Sequence, residues 1–425
     1  MLFFVGLLGS PTYKACWRGQ GHLSRQPPPR ARHLTRELAA GGRHALHLVV
    51  AQQVPPASSS PTAAASSTSS PSRSTTHVER HFETFRWRCA ANGETYRINY
   101  RVTESDAVQR PVFHMLLVHG FGANLLHFRK NVDALAAAGA RVFSIDLLGF
   151  GASDKPVFPL RRTPENGQRA VAYSLELWRD LCVDFVNEME RRYARDAPFH
   201  WVLCGNSIGS LVALMTGLAL DAGAAATAAT PPRLRGLVLL NCAGGLTGFR
   251  YSELSPLGSV VWWLFRNIAF RPPVVHWLFE RARRPENLLS TLRMVYRDHT
   301  HVTAELVEIL RAPASEEGAR HVFEAVLRGE PGPTPRELLQ QLRPETHLLL
   351  LWGREDPWTP YEKGLYPATR FSQWTSRPEQ VELVCLDHCG HCPHDEAPER
   401  VNREVGRFLS ALQQSMVAAA VASGE

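Results

Sequence analysis

The chain lacks any run of about 20 apolar residues, the length a membrane-spanning helix needs, which argues against a transmembrane helix. It also lacks a collagen period, a sustained heptad pattern and a repeat of fixed length. Cysteine is sparse: eight in 425 residues, five of them scattered singly as Cys16, Cys89, Cys182, Cys204 and Cys242. That is not the dense, even spacing of a disulfide scaffold. Cys204 and Cys242 sit in apolar runs, where a free thiol behaves as a small hydrophobe. Beyond residue 75 there is no surplus of charge. The net charge of +7 is accounted for by Lys14 and seven arginines against one acid, Glu37, all within residues 1–75. The remainder carries equal numbers of basic and acidic side chains and no basic patch interleaved with aromatics, so nothing points to nucleic acid.

What is present is a hydrophobic content of 44%, enough for a sizeable buried core, with 20% charged residues,. Residues 1–75 are Arg-rich, acid-poor and rich in Ser, Ala and Pro near their end, the composition of an organellar transit peptide. Leu2 to Leu8 resembles a short signal-peptide core but lacks preceding positive charges; a plain disordered tail is the other alternative. Residues 55–76 are of low complexity and read as linker, because they cannot bury enough apolar surface to offset chain entropy. Composition does not separate mitochondrion from chloroplast.

From about residue 80 short apolar runs alternate with amphipathic stretches. Two strands are predicted near 82–89 and 95–102, with the turn signal Asn92-Gly93 between them. Further strands are predicted at 112–118, 141–146, 200–204, 236–240, 347–352 and 381–386. Most are apolar throughout, as strands buried on both faces are. Helices are predicted at 174–194, where Leu177, Leu181, Phe185 and Met189 fall on one face, at 208–220 and at 397–414. The pattern implies an α/β fold, an eight-stranded, mostly parallel, doubly wound sheet. About 100 residues separate two of the strands, too many for one crossover. They read as an inserted helical cap with helices near 256–270, 272–282, 286–296, 302–311, 316–328 and 335–342. The expected organisation is therefore transit segment and linker at 1–76, core at 77–245, cap at 246–345, core again at 346–415 and a tail at 416–425.

The chemistry concentrates in a few loops. Gly205-Asn206-Ser207-Ile208-Gly209 is a G-x-S-x-G pentapeptide that follows an apolar strand and opens a helix. A serine on this tight turn is exposed at the strand end, which makes Ser207 the candidate nucleophile. A hydroxyl needs an imidazole base, and that imidazole needs a carboxylate to orient it. In this architecture the acid and then the histidine follow the serine. Asp356, in Gly353-Arg354-Glu355-Asp356-Pro357, is the candidate acid, with Glu355 as the spare. His391 is the candidate base: it follows a Gly, whereas His388 belongs to a strand end and His394 to a helix start. The oxyanion hole is expected from the backbone N–H groups of Ile208 and of Phe121, in His119-Gly120-Phe121-Gly122. His119, Asp146 and Asp154 read as structural groups that shape loops. Cys389-Gly390-His391-Cys392 matches C-x-x-C, but it lies at the end of a large sheet and has no second Cys/His pair at zinc spacing. What survives is a regulatory disulfide flanking His391, which equal activity of oxidised and reduced protein would dismiss. No metal and no cofactor is expected.

Together, HGFG, DLLGFGASDKP, GNSIGS, WGREDPWTP and GHCPHDEAP, in that order across 111–414, resemble the α/β-hydrolase family. GNSIGSLVAL, GLVLLNCAGGL, residues 281–315 and GHCPHDEAPE are similar to the plastid branch that contains chlorophyll dephytylase and pheophytinase. The resemblance implies a serine carboxylic-ester hydrolase that releases phytol from chlorophyll or pheophytin, with a chloroplast address; association with the thylakoid surface stays an open reading. Cys389, an Ala-rich insertion at 221–230 and a longer loop at 156–170 depart from that pattern and bear on substrate preference. Residues 249–280 hold eight aromatics, a quarter of the segment against 9% of the chain. Trp262, Trp263, Phe265 and Trp277 are the candidates for holding a long isoprenoid or flat tetrapyrrole; a role in the cap's own core is the competing reading. The alternatives are a plastid esterase or lipase of other lipophilic esters and a non-catalytic pigment-binding protein. Epoxide hydrolase and dehalogenase chemistry is disfavoured, because those enzymes carry Asp where this chain has Ser207.

Overall fold

The structure is a computed structural model and describes residues 78–108, 110–158, 171–196, 198–223, 233–246 and 271–423. The expected transit segment, the helix expected at 256–270 and most of the loops at 156–170 and 221–230 lie outside the described residues. Eight strands form one sheet: β1 Val78–Arg88, β2 Thr95–Ser105, β3 Phe113–Val118, β4 Ala140–Ile145, β5 Trp201–Asn206, β6 Leu234–Leu240, β7 His347–Gly353 and β8 Val381–Leu386. Their order is β1-β2-β4-β3-β5-β6-β7-β8. β2 pairs antiparallel with β1 and β4, and every other pairing is parallel.

The parallel strands divide their side chains between two cores. Leu116, Val118, Leu203, Leu237, Leu239, Leu348 and Leu350 enter one. Met115, Leu117, Val202, Cys204, Val238, Leu240, Leu349 and Leu351 enter the other. This is why these runs are largely apolar rather than alternating: successive residues point to opposite faces, and both faces are covered. Each such side chain contributes about 1.5–3 kcal/mol of transfer free energy when fully buried.

Among the described residues the α-helices are α1 Val132–Ala137, α2 Leu175–Arg192, α3 Ile208–Gly223, α4 Pro272–Ala282, α5 Pro285–Val295, α6 Ala304–Ala314, α7 Ala319–Arg328, α8 Pro335–Leu339, α9 Pro393–Glu396 and α10 Pro398–Ser423. α2 starts where the Ser174 hydroxyl accepts the Leu177 N–H, and it buries Leu177, Leu181, Phe185 and Met189 as their spacing predicts,. α8 opens with a reciprocal capping box between Thr334 and Glu337,. α10 runs on to Ser423, past both the expected end at 414 and the tail expected from 416. The segment after residue 415 is Ala-rich, and alanine has the highest helix propensity. None of the described helices is long and apolar enough to cross a membrane.

Helices α4–α8 lie between β6 and β7 in sequence. α4 and α7 join through Val275, Leu278, Phe279, Ala319 and Phe323. Leu292, Val295, Tyr296, Leu306 and Leu310 form a second cluster, which also takes in Ala123 and Cys392 from the loops after β3 and β8. The chain reverses its direction of travel across the sheet between β3 and β5. In open α/β sheets the crevice beyond the carboxyl ends of the strands at such a point is where ligands bind.

Candidate active site

Ser207 sits between β5 and α3 with φ +57°, in the left-handed region where non-glycine residues are rare,. Such a conformation costs on the order of 1–3 kcal/mol and persists only where the surroundings over-determine it. Here the Ser207 N–H donates to the Leu240 carbonyl at 2.9 Å, and the Ser207 carbonyl accepts from Ala243 and Ser210 at 3.1 Å each. The flanking glycines are required by close packing. A Cβ on Gly205 would lie 2.1 Å from the Gly209 oxygen, and one on Gly209 would lie 2.2 Å from the Val118 oxygen. α3 is therefore pressed against the end of β3. Gly120, in the loop after β3, is also close, since a Cβ there would be 3.3 Å from that of Ser207. Ile208 is the first residue of α3, so its N–H is among those with no intrahelical partner,.

Asp356 and His391 come from the loops after β7 and β8. The His391 Nδ1–H donates to Asp356 Oδ2 at 2.7 Å, and both side chains are buried. Asp356 also accepts from the Asn241 amide at 2.6 Å, from the N–H groups of Trp358 and Thr359 at 2.7 and 3.1 Å, and from the Thr359 hydroxyl. Burial alone pushes its pKa up. The charge of His391 and the hydrogen bonds from His391, Thr359 and Asn241 outweigh burial and hold it below the usual carboxylate range,. Glu355, the spare acid, turns outward to Arg297 and, at 3.5 Å, to His388. His388 has φ +57° and a side chain 89% exposed. His394 is buried at the start of α9, with its ring 4.4 Å from that of His127.

Ser207 and His391 line one cavity of about 190 Å³, with Gly120, Phe121, Asn206 and Trp358 around them. Its other walls come from the loop after β4, with Phe150 and Lys155, and from the helices between β6 and β7, with Phe279, Leu288, Leu292, Val295, Leu310, Val322 and Phe323. The lining is overwhelmingly apolar. Phe279 lines it, whereas Trp277 is 55% exposed and stands apart from it. The period of α4 explains this, because Val275, Leu278, Phe279 and Ala282 face inward at i, i+3, i+4 and i+7 and so turn residue 277 outward. Trp262, Trp263 and Phe265 lie outside the described residues.

Several groups carry no signature in the sequence. Asn241, at φ +44°, binds Asp356 with its amide while its Oδ1 accepts the Gly353 N–H at 3.0 Å. Its only legible trace is an asparagine directly after a strand, a residue that tolerates this backbone geometry. The Trp358 ring meets that of His391 edge to face at 5.0 Å. His119 is buried, accepting the Leu147 N–H on Nε2 and bonding the Gly120 carbonyl through Nδ1. Burial holds its pKa down. Asp146 accepts from the Leu125 and Ala152 N–H groups, and Asp154 from that of Arg97. All three thus shape loops. Cys389 and Cys392 are buried free thiols that pack into different clusters, and burial raises both pKa values.

A model of the alpha/beta hydrolase family matches residues 115–404. Chloroplastic pheophytinase of Arabidopsis thaliana is 27% identical over 345 residues, covering 75% of this chain and 65% of pheophytinase. The chain thus spans slightly under two thirds of that relative's length. A 2-hydroxy-6-oxononadienedioate/2-hydroxy-6-oxononatrienedioate hydrolase of Burkholderia vietnamiensis is 27% identical over 299 residues, covering 69% of this chain and 86% of that enzyme. Among solved structures, a thermophilic esterase from Thermogutta terrifontis superimposes with a TM-score of 0.52 at 20% identity, covering 78% of this chain and 99% of the esterase. A meta-cleavage product hydrolase from Pseudomonas fluorescens IP01 gives 0.51 at 21% identity, covering 77% and 97%. At these identities the structural likeness shows the fold.

Proposed function

The chain belongs to the alpha/beta hydrolase family, and on that premise we propose that it is a serine carboxylic-ester hydrolase that removes phytol from chlorophyll or pheophytin in the chloroplast. One observation carries the catalytic part. A serine held at positive φ on a strand-to-helix turn shares a cavity with an imidazole whose far nitrogen is bonded to a buried, ionised carboxylate.

In this reading Ser207 Oγ attacks the ester carbonyl while His391 Nε2 takes its proton. Asp356 fixes the imidazole with Nε2 unprotonated and stabilises the imidazolium that forms. The backbone N–H groups of Phe121 and Ile208 hold the oxyanion, an assignment favoured by the close approach of the Gly120 loop to Ser207,. The tetrahedral intermediate collapses by breaking the bond to the alcohol oxygen, and His391 gives that oxygen its proton. Water then attacks the acyl-enzyme, losing a proton to His391, which returns it to Ser207.

The substrate class rests on two further facts. The cavity is walled mostly by aliphatic and phenyl side chains, with Lys155, Arg283 and Arg311 also on its lining, and each CH₂ of a phytyl chain buried there would contribute about 0.8 kcal/mol. The similarity to pheophytinase points to the same alcohol. The test incubates the full chain and Ser207→Ala with chlorophyll a, pheophytin a and a galactolipid, following phytol and fatty acid. Phytol release by the wild type alone supports the proposal. Fatty acid without phytol would replace it with an acyl-lipid hydrolase, and tight pigment binding with no hydrolysis would make the chain a binding protein.

A further inference from the structure

Two imidazoles and a carboxylate converge between α4 and α7. His276 comes from α4, while His321 and Glu324 come from α7, where their i, i+3 spacing places them on one helical face,. One donor atom from each lies within 4.8 Å of the others. His276 Nε2 is 2.8 Å from Glu324 Oε2, and the two imidazole rings are 6.1 Å apart. The Glu324 side chain is 2% exposed, and its second oxygen is held at 3.0 Å by Arg328, one turn along the same helix. The site lies beside the Phe279–Phe323 contact, whose two rings also line the apolar cavity.

We propose that His276, His321 and Glu324 bind a divalent first-row transition ion, with Zn²⁺ the best match, and that the ion ties α4 to α7. The donor set is the reason. Two imidazole nitrogens and one carboxylate oxygen suit zinc, whereas magnesium and calcium take oxygen ligands. Zinc at about 2.0–2.1 Å from each donor separates its ligands by about 3.3 Å in a tetrahedron. The donors, now within 4.8 Å of one another, would have to draw closer, and the two imidazoles, being only partly buried, are the ones with room to turn. Binding displaces the hydrogen bond between His276 and Glu324, moving the remaining His276 proton to Nδ1 so that Nε2 carries a lone pair for the metal. Arg328 stays on the free oxygen and keeps the carboxylate aimed, as outer partners of metal ligands do. Three protein ligands leave a fourth position for water. The proposal is independent of the esterase reading, because its measurements concern metal uptake.

The experiment strips the full chain of metal and titrates it with Zn²⁺ by calorimetry and with Co²⁺ by visible absorption, beside His276→Asn and His321→Asn. The expected result is one high-affinity ion per wild-type chain, a rise of several degrees in Tm with Zn²⁺, and at least a tenfold loss of affinity in each variant. The metal-free melting curve of His321→Asn should match the wild type, whereas that of His276→Asn should fall, because His276 also bonds the buried Glu324. No uptake, or uptake unaffected by both substitutions, overturns the proposal. Should a variant fail to fold, the wild-type Co²⁺ spectrum decides. Intense visible d–d bands of four-coordinate Co²⁺ without sulfur charge transfer support the site; the weak bands of aqueous Co²⁺ alone overturn it, and a thiolate charge-transfer band moves the metal to cysteine and refutes it.

Discussion

Asp221, near the end of α3, is a carboxylate at odds with its surroundings. It is buried, neither side-chain oxygen has a hydrogen-bond partner, and Arg343 Nε stands 3.9 Å away. Burial pushes its pKa up from 3.8 to about 6 despite the pull of Arg343. The folded chain therefore holds a proton that the unfolded chain has already released. Stability should fall as pH rises between about 4 and 6, and the full penalty should persist above that window. Asp221→Asn removes the penalty. At pH 7.5 it should stabilise the fold by about 1–3 kcal/mol and flatten the slope between pH 4 and 6. Melting curves across that range check it, and an unchanged Tm at pH 7.5 would refute it. Asn241 is the opposite case, a neutral group whose amide and carbonyl are both used. Hydrogen bonds to charged groups contribute about 1.5–3 kcal/mol. Asn241→Ala should lower kcat by roughly 10- to 100-fold with KM nearly unchanged, because it frees Asp356 and leaves the cavity wall alone. A fall confined to KM would show that Asn241 acts on substrate instead.

Among the elements, α5 and the loop after β8 are joined by the backbone. The His391 N–H donates to the Val295 carbonyl, the last residue of α5, at 2.8 Å. Glu396 accepts from the N–H groups of Arg297 and Asp298 at 2.7 Å each and of Gly390 at 2.8 Å. Tyr296 donates its hydroxyl to Asp395, which also pairs with Arg129 and Lys130. The histidine loop and the end of α5 are thus tied together by hydrogen bonds. A Cβ on Gly390 would lie 2.0 Å from the Val295 oxygen. Gly390→Ala should therefore part the two segments, speed amide hydrogen exchange at His391 and in 296–302, and reduce activity at least tenfold. Normal exchange at both segments would show that they are not coupled. No motif in the sequence announces this joint, although strand ends and most helix spans are readable from it. β3, β5 and β7 are mostly apolar without alternation because both faces are covered, and α2 shows its period because only one face is. The short helix α1 and the turn at Leu125–Phe128, where Asn124 caps the Leu126 N–H, are too short to show a period. The pairing of Asp356 with His391 could be foreseen from the order of loops on a doubly wound sheet. Asn241, Glu396 and the His276–His321–Glu324 cluster could not, because each depends on contacts between segments far apart in the chain.

At the scale of the whole molecule, the excess charge lies in one segment, and among the described residues large apolar side chains are exposed elsewhere. All of the excess positive charge is in residues 1–75, and everything after them is neutral on balance. Exposed large apolar side chains occur on α4, at Val274 and Trp277, with Arg281 lying over the Trp277 ring, and on α5 at Met294. The two sources of membrane affinity are separated by their response to salt. Attraction of lysine and arginine to an anionic surface is worth about 1 kcal/mol per residue and decays over roughly 8 Å at physiological salt, so added salt suppresses it. Insertion of an indole ring is insensitive to salt. On vesicles containing anionic lipid, the full chain should bind strongly at low salt and lose most of that binding at 0.5 M NaCl. A chain beginning at residue 77 should lack the salt-sensitive part and keep the melting temperature of the sheet, because the two cores are built from residues after that point. Any binding left should fall further in Trp277→Ala if α4 touches the bilayer. Equal salt-sensitive binding by the two chain lengths would mean that the charge outside residues 1–75, although balanced in total, is concentrated on one face.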